Sequence, residues 1–272
     1  MTNENDWCRN HLRGRVRYAH SEVVDLSDNA GRWMEQERRP VKTIAFNENG
    51  YAVKELIYNL NGRVSQIGST LFDAYGNKKE LRFQNPEGGL LSSLRCEYDS
   101  AGKLFECVSV RAHGSISTQR CRPRYNQAGN KVEELWFDDN GRLSRKYVYK
   151  YNPIGQTAEQ VLYRYDENGS VYEKWTTFYN EEGNVVERSC FDQQGRTIGG
   201  PIRYKYNRDG DQIEAVTFSL QGDLYSTAAY FYDLDAERNW IKRLEVFRAR
   251  QSGFETRVVT YRTLEYYASL AP

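Results

Sequence analysis

The chain of 272 residues holds three histidines, two methionines, six prolines and five cysteines. The cysteines (Cys8, Cys96, Cys107, Cys121 and Cys190) are odd in number and form no CxxC pair, so neither a disulfide framework nor a four-cysteine zinc site is indicated, and reduced thiols are expected. No apolar run approaches the roughly 18 residues that a membrane-spanning helix needs. The opening MTNENDWCRNHLRGRV lacks the apolar core of an export signal. These absences set the expectation of a cytoplasmic protein that makes no membrane contact. Lys and Arg number 38 against 37 Asp and Glu, which leaves no cationic excess for phosphate binding, so nucleic acid is not an expected partner. No nucleophile elbow, Walker loop or dinucleotide fingerprint occurs, and no cofactor is expected.

What the sequence does have is 21 tyrosines, a residue enriched in strands, so composition leans to β structure. One phrase recurs: an aromatic, usually Asn or Asp next, two variable residues, then Gly. It is found at Phe46 to Gly50, Tyr58 to Gly62, Phe72 to Gly76, Tyr98 to Gly102, Tyr125 to Gly129, Phe137 to Gly141, Tyr151 to Gly155, Tyr165 to Gly169, Tyr179 to Gly183, Phe191 to Gly195 and Tyr206 to Gly210. Weaker copies end at Gly88, Gly114 and Gly222, and the last degenerates at Ala236. From Gly50 the steps run 12, 14, 12, 14, 12, 15, 12, 14, 14, 14, 12, 15, 12 and 14, so a double repeat of 26 to 28 residues occurs seven times.

A polar turn closed by Gly suits a type I turn with a left-handed glycine and a bulge. That register sets the aromatic four before each Gly opposite the residue two after it, pairing Tyr58 with Val64, Tyr98 with Leu104, Phe137 with Leu143, Tyr165 with Val171, Tyr179 with Val185 and Phe218 with Leu224. Such cross-strand pairs contribute roughly 0.2 to 1 kcal/mol each. The expected fold is all-β: an antiparallel meander of about 18 strands. At about 4.8 Å per strand the sheet spans roughly 85 Å, too wide for side chains to fill if closed. A curled or open single sheet is therefore expected, with a flattened two-layer or barrel-like closure as alternatives.

The domain reading is an N-terminal capping hairpin over 1–45 with a helix-like stretch from Trp33 to Arg38, a repeat array over 46–238, and a C-terminal capping hairpin over 239–272. Terminal units of a repeat array are expected to be atypical, because they cap an edge that would otherwise pair with another chain.

The phrases Tyr98-Asp99-Ser100-Ala101-Gly102-Lys103-Leu104, Tyr165-Asp166-Glu167-Asn168-Gly169 and Gly141-Arg142-Leu143 resemble the YD repeats of the RHS family, over about residues 46 to 243. The closing Asn239-Trp240-Ile241-Lys242-Arg243 resembles the ends of bacterial YD-like proteins. The resemblance implies β-hairpins that spiral into shells around a toxin or form binding surfaces. It implies no catalytic residue, and the self-cleaving module of long RHS shells is missing. The period here is also longer and alternates.

Strict alternation along each strand places a Glu column on the aromatic face: Glu80, Glu106, Glu133, Glu159, Glu187 and Glu214, each four residues after a Gly. It sets Glu159 opposite Tyr149, Glu214 opposite Tyr204 and Glu187 opposite Thr177. The expected roles are a Glu–hydroxyl ladder between strands or a column that binds a basic peptide. A second column is Tyr-x-Tyr: Tyr149 with Tyr151, Tyr204 with Tyr206, and Tyr230 with Tyr232. These rings either pack across strands or offer a stacking platform. Cys8 and His11 have half of a zinc spacing, Asp233, Asp235 and Glu237 read as a worn turn, and Cys107 and Cys121 as neighbours across a hairpin. The candidate binding face is thus Tyr149, Tyr151, Glu159, Glu187, Tyr204, Tyr206, Glu214, Tyr230 and Tyr232. Repeated residues spread along a line do not converge on a pocket as catalysis requires. A non-enzymatic binding or scaffold protein with another protein as partner is expected, the alternatives being an immunity-like partner of an RHS-type toxin and a carbohydrate-binding module.

Overall fold

A computed structural model describes residues 5–113 and 115–268; the weak repeat copy at Gly114 lies outside them. After a one-turn helix, α1 (Asp6–Arg9), capped by the Asn5 side chain, come β1 (Val16–Asn29), β2 (Arg32–Glu35), β3 (Arg39–Phe46), β4 (Ala52–Tyr58), β5 (Val64–Phe72), β6 (Lys78–Gln84), β7 (Leu90–Tyr98), β8 (Leu104–His113) and β9 (Ser115–Tyr125). Next are β10 (Lys131–Phe137), β11 (Leu143–Tyr151), β12 (Thr157–Tyr165), β13 (Val171–Tyr179), β14 (Val185–Asp192) and β15 (Ile202–Tyr206). The last four are β16 (Gln212–Phe218), β17 (Leu224–Leu234), β18 (Trp240–Ala249) and β19 (Glu255–Tyr266).

The turns form as the repeat predicts. At Asp138 the backbone N–H of Gly141 donates to the Asp138 carbonyl (2.9 Å), and the carboxylate accepts the N–H groups of Asn140 (3.0 Å) and Arg142 (2.8 Å). Gly141 has φ +74°, a region costly to residues with a Cβ. The aromatic–aliphatic pairs follow: Tyr58 faces Val64, Phe137 faces Leu143, Tyr165 faces Val171, Tyr179 faces Val185 and Phe218 faces Leu224. In the degenerate final turn Arg238, not Ala236, holds the left-handed position (φ +64°), with its N–H donating to the Asp235 carbonyl.

Three expectations are corrected. The sheet is not open or curled: β1 pairs with β3 on one side and with β19 on the other. The strands therefore close into an 18-strand antiparallel β-barrel, in which β2 adds only a short extension along β1. The strand-count argument for an open sheet fails because closure joins segments more than 230 residues apart, as at Val16 and Tyr266, and no local pattern encodes that pairing. Second, the helix-like stretch Trp33 to Arg38 begins as β2, where pairing of Arg32–Glu35 with Leu26–Asn29 overrides helical propensity. Third, strict alternation breaks after most repeat turns, though not between β8 and β9, because a second bulge follows the glycine bulge: Tyr58 faces Val64 but Ile57 faces Gln66. The same shift recurs between Phe137 and Trp136 and between Tyr151 and Lys150. Everything beyond it changes face.

The chain forms two compact units. One comprises residues 1–95, 230–246 and 255–272. Its core gathers Leu12, Val16, Ala19, Ile44 and Phe46, with Trp7 packed on it and donating from Nε1 to the Val16 carbonyl (2.8 Å). The other comprises residues 96–229 and 247–254, and buries Cys107, Cys121, Val161, Thr176, Thr177, Cys190 and Ser226.

Candidate functional site

The bulge moves the Glu column off the aromatic face. Glu159 stands opposite Lys150, not Tyr149; Glu214 opposite Lys205, not Tyr204; and Glu187 opposite Phe178, not Thr177. Each is ion-paired across strands: Glu159 with Lys150 at 2.8 Å, Glu187 with Arg203 at 2.9 Å and Glu214 with Lys205 at 2.5 Å. Glu106 pairs likewise with Arg122 at 2.9 Å. Glu133 joins Arg124 (3.1 Å) and Lys146, and the hydrogen bond from Lys146 leads the causes that hold its carboxyl below the usual range. The column is an ion-pair ladder, not a Glu–hydroxyl ladder.

The tyrosines occupy the other face. Tyr151 donates from its hydroxyl to the Lys131 carbonyl (2.6 Å), Tyr206 to the Val185 carbonyl (2.8 Å) and Tyr125 to the Leu104 carbonyl (3.1 Å). The accepting residue each time lies two after the Gly of another turn, so these rings stitch one turn to another. Burial pushes the Tyr151 and Tyr206 hydroxyls up. Tyr204 shares the Tyr206 face and stands opposite Ala215. In the other unit Tyr230 lies under the Arg243 guanidinium (5.8 Å) and Tyr232 packs on Trp240 at 6.3 Å between centroids. The nine sequence-predicted residues are therefore not one surface.

Sequence reasoning missed a mostly buried carboxylate, Glu134, that three side-chain donors engage. Val132 is skipped at the bulge, so Glu134, and not the neighbouring Glu133, shares the face of Trp136, Tyr147 and Tyr149. Its carboxylate accepts from Lys131 Nζ (2.5 Å), Trp136 Nε1 (2.7 Å) and the Tyr149 hydroxyl (3.4 Å). Burial alone would raise the Glu134 pKa, but these partners lower it on balance; burial would likewise lower Lys131, which the carboxylate holds above its usual range. Tyr149 is pushed up to about 12, first by burial and then by the Glu134 charge. Beside them Cys107 and Cys121 face one another, as the hairpin reading expected, and Cys121 also faces Trp136. The Cys107 thiol is pushed up first by its hydrogen bond with Cys96 and then by burial, and Cys121 chiefly by burial. Such thiols stay protonated near neutral pH and are poor nucleophiles. Among the described residues no group of three or more His, Cys, Asp or Glu could hold a metal ion. The repeat spacing gave no signal for this cluster, because the bulge at Val132 adds no residue to it.

No protein-family model matches the chain, and no curated protein matches it. Among solved structures it is similar to a porin-like protein from Bacteroides uniformis ATCC 8492 (14% identity, TM-score 0.42, 92% of this chain and 98% of that one). A porin-like protein from Bacteroides vulgatus ATCC 8482 is similar too (13%, TM-score 0.38, 93% and 99%). A third is the Photorhabdus luminescens Tc holotoxin pore (12%, TM-score 0.20, 86% of this chain and 18% of that one).

The expectations of a cytoplasmic location and of no membrane contact are withdrawn. They rested on the lack of an apolar helix, and among the described residues no helix is long and apolar enough to cross a membrane. That test is silent about a β-barrel, which crosses with strands, and the sheet of this chain closes on itself. The spiral shell that the RHS resemblance implies does not fit a sheet that closes on itself through β1, β3 and β19.

Proposed function

We propose that the chain is a non-enzymatic binding protein whose partner is another protein, docked on the ion-paired face of residues 96–229. One row across β11 to β15 carries the reading: Lys150, Glu159, Phe178, Glu187 and Arg203 stand opposite one another in succession. Phe178 is 39% exposed and is flanked on both sides by a carboxylate, each paired outward to a cation that is itself mostly exposed. An aromatic anchor inside a charged rim suits a protein interface, where aromatics and Arg carry binding energy and rim charges set register. The absence of catalytic intent is supported by Glu134, whose carboxylate is already engaged by three donors, and by thiols whose pKa is raised rather than lowered.

The test is affinity capture with the purified chain, followed by calorimetry against the identified partner. Phe178→Ala and Arg203→Glu should each weaken binding at least tenfold, while Tyr204→Ala should leave it unchanged. A partner held equally by the native chain and by Phe178→Ala would overturn the reading, as would capture of oligosaccharide alone.

A further inference from the structure

The repeat is irregular between Gly195 and Gly210, a step of 15 where its neighbours take 12. The surplus lies in the segment before β15, which holds Gly199 at φ +74°. In that segment Gly200 approaches the Phe218 backbone so closely that a Cβ would lie 2.2 Å from its carbonyl oxygen. As a result β14 and β15 share only two pairs, Glu187 with Arg203 and Arg188 with Ile202, whereas β13 and β14 share seven. Beyond Arg188 the sheet parts, and the Ile198 N–H reaches back to the Cys190 carbonyl at 2.8 Å.

The parting leaves a cavity of about 420 Å³ that is partly open to solvent, within the size range of small-molecule sites. Its walls are largely apolar, from Trp175, Cys190, Ile198, Ile202 and Tyr225. The cation among them is Arg188, opposite Thr177 and on the face away from Phe178. Arg203 and Lys205, on the neighbouring strand, each hold a carboxylate, but Arg188 makes no ion pair or side-chain hydrogen bond among the described residues. Arg188 is exposed at the mouth of this cavity, and its guanidinium presents a planar fork that matches a carboxylate.

We propose that this cavity binds a small amphiphilic anion, an aliphatic or aromatic monocarboxylate, with the apolar body against Trp175 and Ile202 and the carboxylate on Arg188. The charge complementarity and the wall chemistry point to the same ligand class. The site lies on the opposite face of the sheet from the proposed protein contact, so each proposal can fail without the other.

The experiment uses the full chain with 8-anilino-1-naphthalenesulfonate as fluorescent reporter, displaced by decanoate, decanol or decylammonium. Decanoate should displace it best and decylammonium least. Arg188→Gln should weaken decanoate roughly tenfold or more, the worth of a charge-assisted hydrogen bond, and leave decanol unchanged. Leu220→Glu, at an exposed turn on the rim, tests the same charge logic without touching the core and should also weaken decanoate. Failure of the reporter to bind, equal displacement by decanol or decylammonium, or native decanoate affinity in Arg188→Gln or Leu220→Glu would overturn the proposal.

Discussion

Lys150 and Glu159 stand directly opposite on β11 and β12 with 2.8 Å between ammonium and carboxylate, while Tyr149 and Tyr151, one residue to either side of Lys150, point to the other face. The Lys150 side chain is 65% exposed, and an exposed pair gains little once solvent and salt screen it. Glu159→Gln should therefore cost under about 1 kcal/mol in urea denaturation, and less still in high salt. A cost of several kcal/mol would mean that the ladder sets the register of the barrel.

The turns are expected to matter more than the ladder. Nothing lies within 4 Å of a Cβ built on Gly141, so Gly141→Ala isolates the cost of a left-handed backbone, about 1 to 2 kcal/mol. Gly200→Ala should cost clearly more, because there the new methyl meets backbone oxygens at 2.2 and 2.3 Å. Thermal unfolding of the two variants side by side ranks them, and the opposite order would contradict the packing described for that segment.

The local rules were legible because each turn closes within five residues. Asp138 accepts from Asn140 and Arg142, and Phe137 meets Leu143, without help from elsewhere. The second bulge was not legible, because it adds no residue to the repeat and only changes which residues oppose. Its one trace is a serine three after the Gly: Ser65 Oγ donates to the Ile57 carbonyl and Ser144 Oγ to the Trp136 carbonyl, both at 3.1 Å. That single step exchanged Glu133 for Glu134 as the buried carboxylate and left the Tyr and Glu columns on opposite faces. Closure through β1 and β19, and the cavity beside Arg188, depend on pairings between distant segments or on pairings that are missing, and neither has a periodic signature.

The thiols give a pH dependence whose sign follows from their shifts. Cys107 and Cys121 are held above their ordinary values in the folded chain, so above roughly pH 8.5 the unfolded chain loses protons that the folded one keeps. That contribution to stability is present below this pH and lost as pH rises further. The melting temperature should fall between neutral pH and pH 10, and fall less in Cys121→Ala measured against its own value at pH 7. In native conditions an alkylating reagent should modify exposed Cys8 well before Cys107 or Cys121, as read by mass spectrometry of the peptides.

Glu134 and Lys131 carry the largest expected mutational effect. Both side chains are mostly buried, and each holds the other's charge against the cost of leaving water. Glu134→Gln leaves the ammonium beside Tyr149 with no carboxylate partner, and should destabilise by about 2 kcal/mol or more. Lys131→Met alone strands the carboxylate and should cost a similar amount. The double variant Lys131→Met with Glu134→Gln removes both charges at once, and an uncharged pair of similar volume no longer bears the desolvation cost. It should therefore be more stable than either single variant, with a coupling of about 1 to 3 kcal/mol in a double-mutant cycle. In acid the pair adds a dependence of opposite direction to that of the thiols, because the folded Glu134 pKa lies below the ordinary value. Its contribution is present above about pH 4.3, the usual Glu pKa, and disappears as pH falls through the lowered one. Simple additivity of the two variants would show that the ion pair is incidental to the packing of Trp136 and Tyr149 around it.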